Sequence, residues 1–301
     1  MIYLILILAL IGIIYGANNL VNGASSIAHR YNVSDFIIGA LIVGVGTSTP
    51  ELITSLISTC QNNPDIAIGN VVGSNIFNIL GILGLTAIIF PIPIKKENVT
   101  FDITYCLGFS ILLTAIVFTF GLDAFGGILL FMLFWVYTLV AINTDIVSPN
   151  TKKIEPLWQS ILKIVGGLTI LIISCDCFID NSVLLARSFG LDDATISLTL
   201  IACGTSLPEL ASSIVAAFKK NTQLALGNII GSNIFNIAFI LGLCSMVTPL
   251  NSPNIGPIDY IVMIGAVVIT FICGIFGKIN RFAGFLMVGG FAAYIYYLLN
   301  F

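Results

Sequence analysis

The sequence predicts an all-α membrane protein: ten transmembrane helices in two inverted five-helix repeats, with the second and seventh helices broken at proline. Three observations carry that expectation. The chain is 58% hydrophobic and only 8% charged, against roughly 25% charged in soluble domains, so it lacks the polar surface to face water. Apolar runs long enough to cross ~30 Å of hydrocarbon recur ten times. The second half of the chain also repeats the first at an offset of 158 residues.

The ten spans fall at 2–27, 35–60, 66–90, 102–120, 123–143, 157–186, 193–218, 222–248, 257–275 and 281–300. The first, beginning "MIYLILILALIGIIYG", has no basic segment ahead of it and runs too long for a signal-peptide core, so it is expected to stay as a helix. Connections are short. The longest polar one, "NTDIVSPNTKKIEP", predicts a cytoplasmic linker over 144–156, between an N-terminal repeat (1–143) and a C-terminal repeat (157–301).

Basic residues set the orientation. With the N-terminus outside, the cytoplasmic side receives Arg30, Lys95, Lys96, Lys152, Lys153, Lys163, Lys219, Lys220, Lys278 and Arg281, and the outer side only Arg187. Both termini are therefore expected outside, in a plasma membrane. Asp65, Asp123, Asp192, Asp193 and Asp259 then lie on the outer side, and Asp176 and Asp180 near the outer end of span six, at the lip of a hydrated vestibule. Seven cysteines mostly occupy apolar runs; Cys175 and Cys177 have no His or further Cys near enough to complete a metal site.

Residues 35–85 align with 193–243 without a gap, and about half the positions are identical. Five spans per half is odd, so the halves must insert in opposite directions. That is the inverted repeat of secondary transporters, with binding near the midplane where the repeats meet. Within the alignment, "GTSTPEL" (46–52) lies over "GTSLPEL" (204–210). Small-residue packing accounts for Gly46 and Gly204. It does not account for an ionisable Glu51 and Glu209 at membrane depth, where a charge marks a pathway by default.

Pro50 has no N–H, so the carbonyl of Gly46 is expected to lose its helical partner and that of Thr47 to be crowded free; Pro208 does the same to Gly204 and Thr205. Freed carbonyls in hydrocarbon must be satisfied or line a polar cavity. Beside them stand the carboxylates and the hydroxyls of Thr47, Ser48, Thr205 and Ser206. Carboxylate, carbonyl and hydroxyl oxygens are what hard cations take. A second pair of motifs follows, "GNVVGSNIFN" (69–78) and "GNIIGSNIFN" (227–236). Asn70, Ser74 and Asn78, and again Asn228, Ser232 and Asn236, are four apart and share one helix face. Asn75 and Asn233 fall on another face, where interhelical hydrogen bonding is expected.

At these residues the sequence resembles the cation/calcium exchanger superfamily, and within it the prokaryotic sodium/calcium exchangers. The resemblance spans the whole ten-helix layout. It implies a Ca²⁺ site held by Glu51, Glu209 and the carbonyls of Thr47 and Thr205. It also implies flanking Na⁺ sites: an inner one from the Gly44 carbonyl, Ser48, Glu51 and Ser74, and an outer one from the Ala202 carbonyl, Ser206, Glu209 and Ser232. Asn78 and Asn236 would border the centre, and the first and sixth spans would slide across the core to alternate access. Some relatives carry an acid where this chain has Asn236. With amides in both halves the centre holds two formal negatives, which one Ca²⁺ balances and three Na⁺ would exceed by one. Because the same carboxylates serve both loads, binding would be mutually exclusive.

The expected activity is thus Na⁺/Ca²⁺ antiport, with the two ions as substrates, the bilayer as surroundings, no cofactor, no nucleic acid and no obligate protein partner. H⁺- or K⁺-dependent exchange is the nearest alternative; proton-coupled relatives show a "GNAxE"-like motif where this chain has "GTSxPE". An intramembrane hydrolase is disfavoured, since the one histidine, His29, sits at a cytoplasmic helix end and the deep acids are a symmetric Glu pair. A passive channel is opposed only by the inverted repeat.

Overall fold

A computed structural model describes residues 2–144, 155–189, 204–251 and 254–300, the side chains of 98–100 and 144 excepted. Much of the expected linker therefore lies outside the described residues. So do Lys152, Lys153, Asp192, Asp193, Ala202 and the first part of the expected seventh span.

The chain is helical almost throughout. In order, α1 is Ile2–Tyr31, α2 Asp35–Thr47, α3 Thr49–Cys60, α4 Pro64–Ile89, α5 Phe101–Thr119, α6 Ala124–Asn143, α7 Leu157–Ser188, α8 Leu207–Phe218, α9 Thr222–Val247, α10 Pro257–Ile275 and α11 Arg281–Asn300. Among the described residues eight helices are long and apolar enough to cross a membrane, or nine if α2 and α3, bent by 46° at Ser48, form one span. The helix α8 is apolar but short, and the residues ahead of it are not described.

Local chemistry sets the boundaries. Ser34 caps α2, its hydroxyl accepting the Ile37 N–H at 3.1 Å, and Asn221 caps α9 by accepting from Leu224 at 3.2 Å. Prolines open α4 and α10, where a missing N–H costs nothing. Asn32 and Asn62 leave α1 and α3 in the left-handed conformation that Asn tolerates. Among the described residues two features depart from an all-helical chain: an isolated antiparallel bridge between Leu122 and Leu250, and a short strand pair. Ile92–Pro93 (β1) pairs antiparallel with Lys278–Ile279 (β2), joining the loops after α4 and α10. Runs of two residues are too short to leave a periodic signature in sequence.

Packing divides the molecule in two. A large core gathers Ile68, Ile76, Ile79 and Leu83 of α4 with Ile230, Ile234, Ile237 and Leu241 of α9, enclosed by α5, α6, α10 and α11. A second cluster, including Ile13, Ala17, Leu20, Leu171, Cys175, Ala216 and Leu224, lies between the α1–α7 pair and that core. The antiparallel helices α1 and α7 touch backbone to backbone. A Cβ at Gly16 would stand 2.6 Å from the Leu171 nitrogen, and one at Gly167 2.7 Å from that of Leu20. The helix α2 lies as closely on α9: a Cβ on Gly231 would be 2.3 Å from the Ala40 Cα. Glycine at these crossings lets backbones approach without a side chain between them.

One end of the fold collects basic residues. Arg30 donates to the Glu155 carbonyl at 2.8 Å, and Lys163 pairs with the Glu155 carboxylate at 2.5 Å. Lys219 donates to Asn22 Oδ1 at 2.5 Å, and Gln223 to the Pro93 carbonyl beside the strand pair that holds Lys278.

Candidate cation site between the paired motifs

The helix break in the first half and the start of α8 in the second fall at equivalent residues. Ser48 (φ −80°, ψ 11°) separates α2 from α3, and Ser206 (φ −91°, ψ 11°) precedes α8. Both sit in the sparsely allowed bridge between helical and extended backbone. The expected freeing of the Gly46 and Gly204 carbonyls is corrected: Gly46 accepts the Thr49 hydroxyl at 2.7 Å, and Gly204 the Leu207 N–H at 3.1 Å. A hydroxyl in one copy and a tightened turn in the other replace the donor that proline removes.

From each break a side chain crosses to the opposite repeat. Ser48 Oγ donates to Glu209 Oε1 at 2.8 Å, and Ser206 Oγ to Glu51 Oε1 at 2.8 Å. Thr47 Oγ1 donates to Asn228 Oδ1 at 3.2 Å, and Thr205 Oγ1 to Asn70 Oδ1 at 3.4 Å. These contacts run across the repeats, whereas the sequence grouped Ser48 with Glu51 and Ser206 with Glu209. Each serine stands at the N-cap position of the helix that carries the carboxylate three residues on, and its hydroxyl bonds the other repeat's carboxylate instead. Ser232 likewise reaches the Gly44 carbonyl of the other repeat, at 3.2 Å.

Asn70 and Asn228 take a different role from the ligand stripe expected of them. Asn70 Nδ2 donates to the Glu51 carbonyl and Ser55 Oγ at 3.2 and 3.0 Å. Asn228 Nδ2 donates to the Glu209 carbonyl, Ser212 Oγ and Ser213 Oγ. With the threonine contacts included, both ends of each amide are engaged, so each ties a carboxylate-bearing helix to its neighbour. Sequence spacing put these amides on the right face but could not say that they were already bonded.

The expected site residues that are described come together. Glu51, Glu209, Thr47, Ser48, Ser206, Ser232, Asn78 and Asn236 are fully buried, with Ser74 2% exposed. The Gly44 carbonyl is already taken by Ser48 N–H, Thr47 Oγ1 and Ser232 Oγ. Ala202 lies outside the described residues. Among the described residues, Glu51 Oε2, Glu209 Oε2, Asn78 Oδ1, Asn236 Oδ1 and Ser74 Oγ are buried with no hydrogen-bond partner. Four of these are acceptor-only oxygens and the fifth is a hydroxyl, the donor set suited to a hard cation. No group of three or more His, Cys, Asp or Glu occurs among the described residues. Two of the four π-helical segments among the described residues, Phe77–Leu83 and Phe235–Leu241, carry Asn78 and Asn236; such widened turns are frequent at functional sites. A cavity of about 270 Å³ abuts the breaks, lined in part by Pro50, Thr205, Pro208, Cys175 and Asp176.

The profile of the sodium/calcium exchanger protein family matches residues 1–143 and 159–300. The chain belongs to the sodium/calcium exchanger family. This family member is 36% identical over 315 residues to the putative antiporter CaxA of Alkalimonas amylolytica, covering 98% of this chain and 97% of that one. It is 31% identical to the sodium/calcium exchanger MaX1 of Methanosarcina acetivorans, with 83% and 84% covered. Its fold matches a solved structure of the sodium-calcium exchanger NCX_Mj soaked with zero Na⁺ and Ca²⁺, at a TM-score of 0.89 and 33% identity, over 99% of this chain and 100% of that one.

Proposed function

We propose that this exchanger-family chain is a Na⁺/Ca²⁺ antiporter working by alternating access, with its two cargoes competing for one midplane site. The five buried, unpartnered oxygens carry the reading. Each costs about 1–3 kcal/mol when left unpaired, and a carboxylate oxygen more, so the cluster favours a cation that completes it. Ca²⁺ would be held by Glu51, Glu209 and the Thr47 and Thr205 carbonyls, with Asn78 and Asn236 at the centre. The cross-repeat contacts regroup the flanking Na⁺ positions. The inner one takes Ser48, Ser232 and Glu209, the Gly44 carbonyl being already engaged by three donors; the outer one takes Ser206, Ser74, Glu51 and the Ala202 carbonyl.

Competition follows from charge. Two carboxylates balance one Ca²⁺, and the same oxygens are needed by Na⁺, so one load must leave before the other is complete. The working architecture is ten crossings in two inverted five-helix repeats, 1–143 and 157–301, with the second and seventh crossings broken at Pro50 and Pro208. The basic end faces the cytoplasm and both termini lie outside a plasma membrane. The cavity beside Asp176 is the outer approach.

Radioactive calcium uptake into Na⁺-loaded proteoliposomes, diluted into Na⁺-free and K⁺-free buffer, tests this beside Glu51→Gln. Uptake that needs internal Na⁺ and vanishes in the variant is expected. Uptake only on adding K⁺ or a proton gradient would replace the coupling ion, and uptake without any counter-ion would make the protein a channel.

A further inference from the structure

The amides of Asn75 and Asn233 have no place in the ion site, yet they are buried at 0% and 1% exposure in the middle of the molecule. They close a two-residue ring with each other, and each of the amides that do donates into it. Asn75 Nδ2 donates to the Asn233 carbonyl at 3.2 Å, and Asn233 Nδ2 to the Asn75 carbonyl at 3.1 Å. Asn78 Nδ2 donates to Asn233 Oδ1 at 3.0 Å, and Asn236 Nδ2 to Asn75 Oδ1 at 3.1 Å.

The ring fixes which way each amide points, because the oxygen and nitrogen of an amide are similar in shape and only their partners distinguish them. A backbone carbonyl can only accept. The side-chain atom of Asn233 that meets the Asn75 carbonyl must therefore be nitrogen, which makes its other atom an oxygen. That oxygen can only accept, so the Asn78 atom meeting it must be nitrogen. The remaining atom of Asn78 is then an oxygen, and it is one of the buried, unpartnered oxygens of the site. The same chain of reasoning runs from the Asn233 carbonyl through Asn75 to Asn236 Oδ1.

We propose that Asn75 and Asn233 are positioning residues that lock the amides of Asn236 and Asn78, respectively, with oxygen rather than nitrogen toward the cation. The inference rests on the site proposed above. Each lock crosses the repeats: Asn75 of the first orients Asn236 of the second, and Asn233 orients Asn78. Without its lock an amide can turn over and present N–H groups to a positive charge, which converts a ligand into a repulsion.

A carboxylate has two equivalent oxygens and needs no such lock, and the test uses that. Asn75→Ala is expected to raise the KM for Ca²⁺ about tenfold, the scale of losing one charge-assisted contact. In an Asn236→Asp background, assayed near pH 8, Asn75→Ala should no longer raise KM, because the introduced carboxylate has no N–H for Asn75 Oδ1 to accept; in an Asn78→Asp background it should still cost about tenfold. Asn233→Ala should show the mirror pattern, silent only with Asn78→Asp. A merely structural role would cost the same in both backgrounds, and that result, or no cost in the wild-type background, overturns the proposal. Calcium-induced thermal shifts of the detergent-solubilised protein give the same comparison where an Asp variant turns over slowly. Asn75→Ser replaces Asn75→Ala should the latter not fold. Exchange that survives Glu51→Gln would sink the site itself. Loss of exchange in Glu51→Gln together with a silent Asn75→Ala would sink only the lock.

Discussion

The centre of the molecule and the α1–α7 pair are built on opposite plans. Of the most apolar stretches of α4 and α9, 72% and 83% of residues are buried, against 33% and 17% in α1 and α7. The centre is tied by directional contacts, many of which cross between the repeats: Ser48, Ser206, Ser232, Thr47, Thr205, Asn75, Asn78, Asn233 and Asn236 each bond a residue of the other half. The contact of α1 with the core is largely apolar, through Ala17, Leu20, Val21 and Ala24, with polar bonds to Lys219 and Asn221 near one end. A plane of small apolar side chains has no fixed register, whereas a hydrogen-bond lattice has one. The difference teaches that, in the alternating access proposed above, the α1–α7 pair is the part suited to shift and the centre the part suited to hold still.

Several substitutions would break or sharpen that contrast. Glu51→Gln or Glu209→Gln should reduce sodium-dependent calcium uptake at least a hundredfold, since each removes a carboxylate shared by both cargoes; normal calcium affinity in either variant would undo the assignment. Gly167→Val puts a side chain where the Leu20 backbone lies, so it should lower turnover at least tenfold while calcium affinity, read by thermal shift, stays within about threefold. An equal loss of binding would show that the pair and the centre are one unit.

Ser48→Ala and Ser206→Ala should each weaken apparent Na⁺ affinity about tenfold by removing a hydroxyl from a buried carboxylate. If the pairing across repeats matters, Ser48→Ala should be nearly silent in a Glu209→Gln background for Na⁺ binding. Asn236→Asp should keep binding but make exchange fall severalfold as pH drops from about 8 to 6, because a third carboxyl competes for a proton; a flat profile would place Asn236 away from the centre. The smallest effect is expected at the rim: Asp176→Asn should raise the KM for Ca²⁺ about threefold at low ionic strength, a difference that added salt erases.

Much of the site was legible because the chain states it twice. A Pro and a Glu at the same offset in two apolar runs, each followed by a face of Asn, Ser and Asn, left little room for a packing explanation. What stayed illegible was pairing. Spacing on one helix shows that Asn70, Ser74 and Asn78 share a face, but Asn70 is consumed by Glu51 O, Ser55 and Thr205 while Asn78 keeps a bare oxygen. Asn75 looked like plain interhelical glue; its bonds do join helices, and they also orient Asn236.

Composition by itself determined that the chain is a helical membrane protein, and the repeat supplied the expectation of two half-sites with a carboxylate apiece. Those properties follow from local chemistry: hydrocarbon rejects charge, proline removes a donor, and an odd number of crossings inverts the second half. Only the tertiary structure decided that Ser48 serves Glu209 rather than Glu51, that the Gly46 and Gly204 carbonyls are recaptured, and that Asn75 and Asn233 bond reciprocally and each accept a further amide. Hydrogen bonds reach about 3 Å, so which oxygen stays free depends on partners that lie 155 to 161 residues away in the chain.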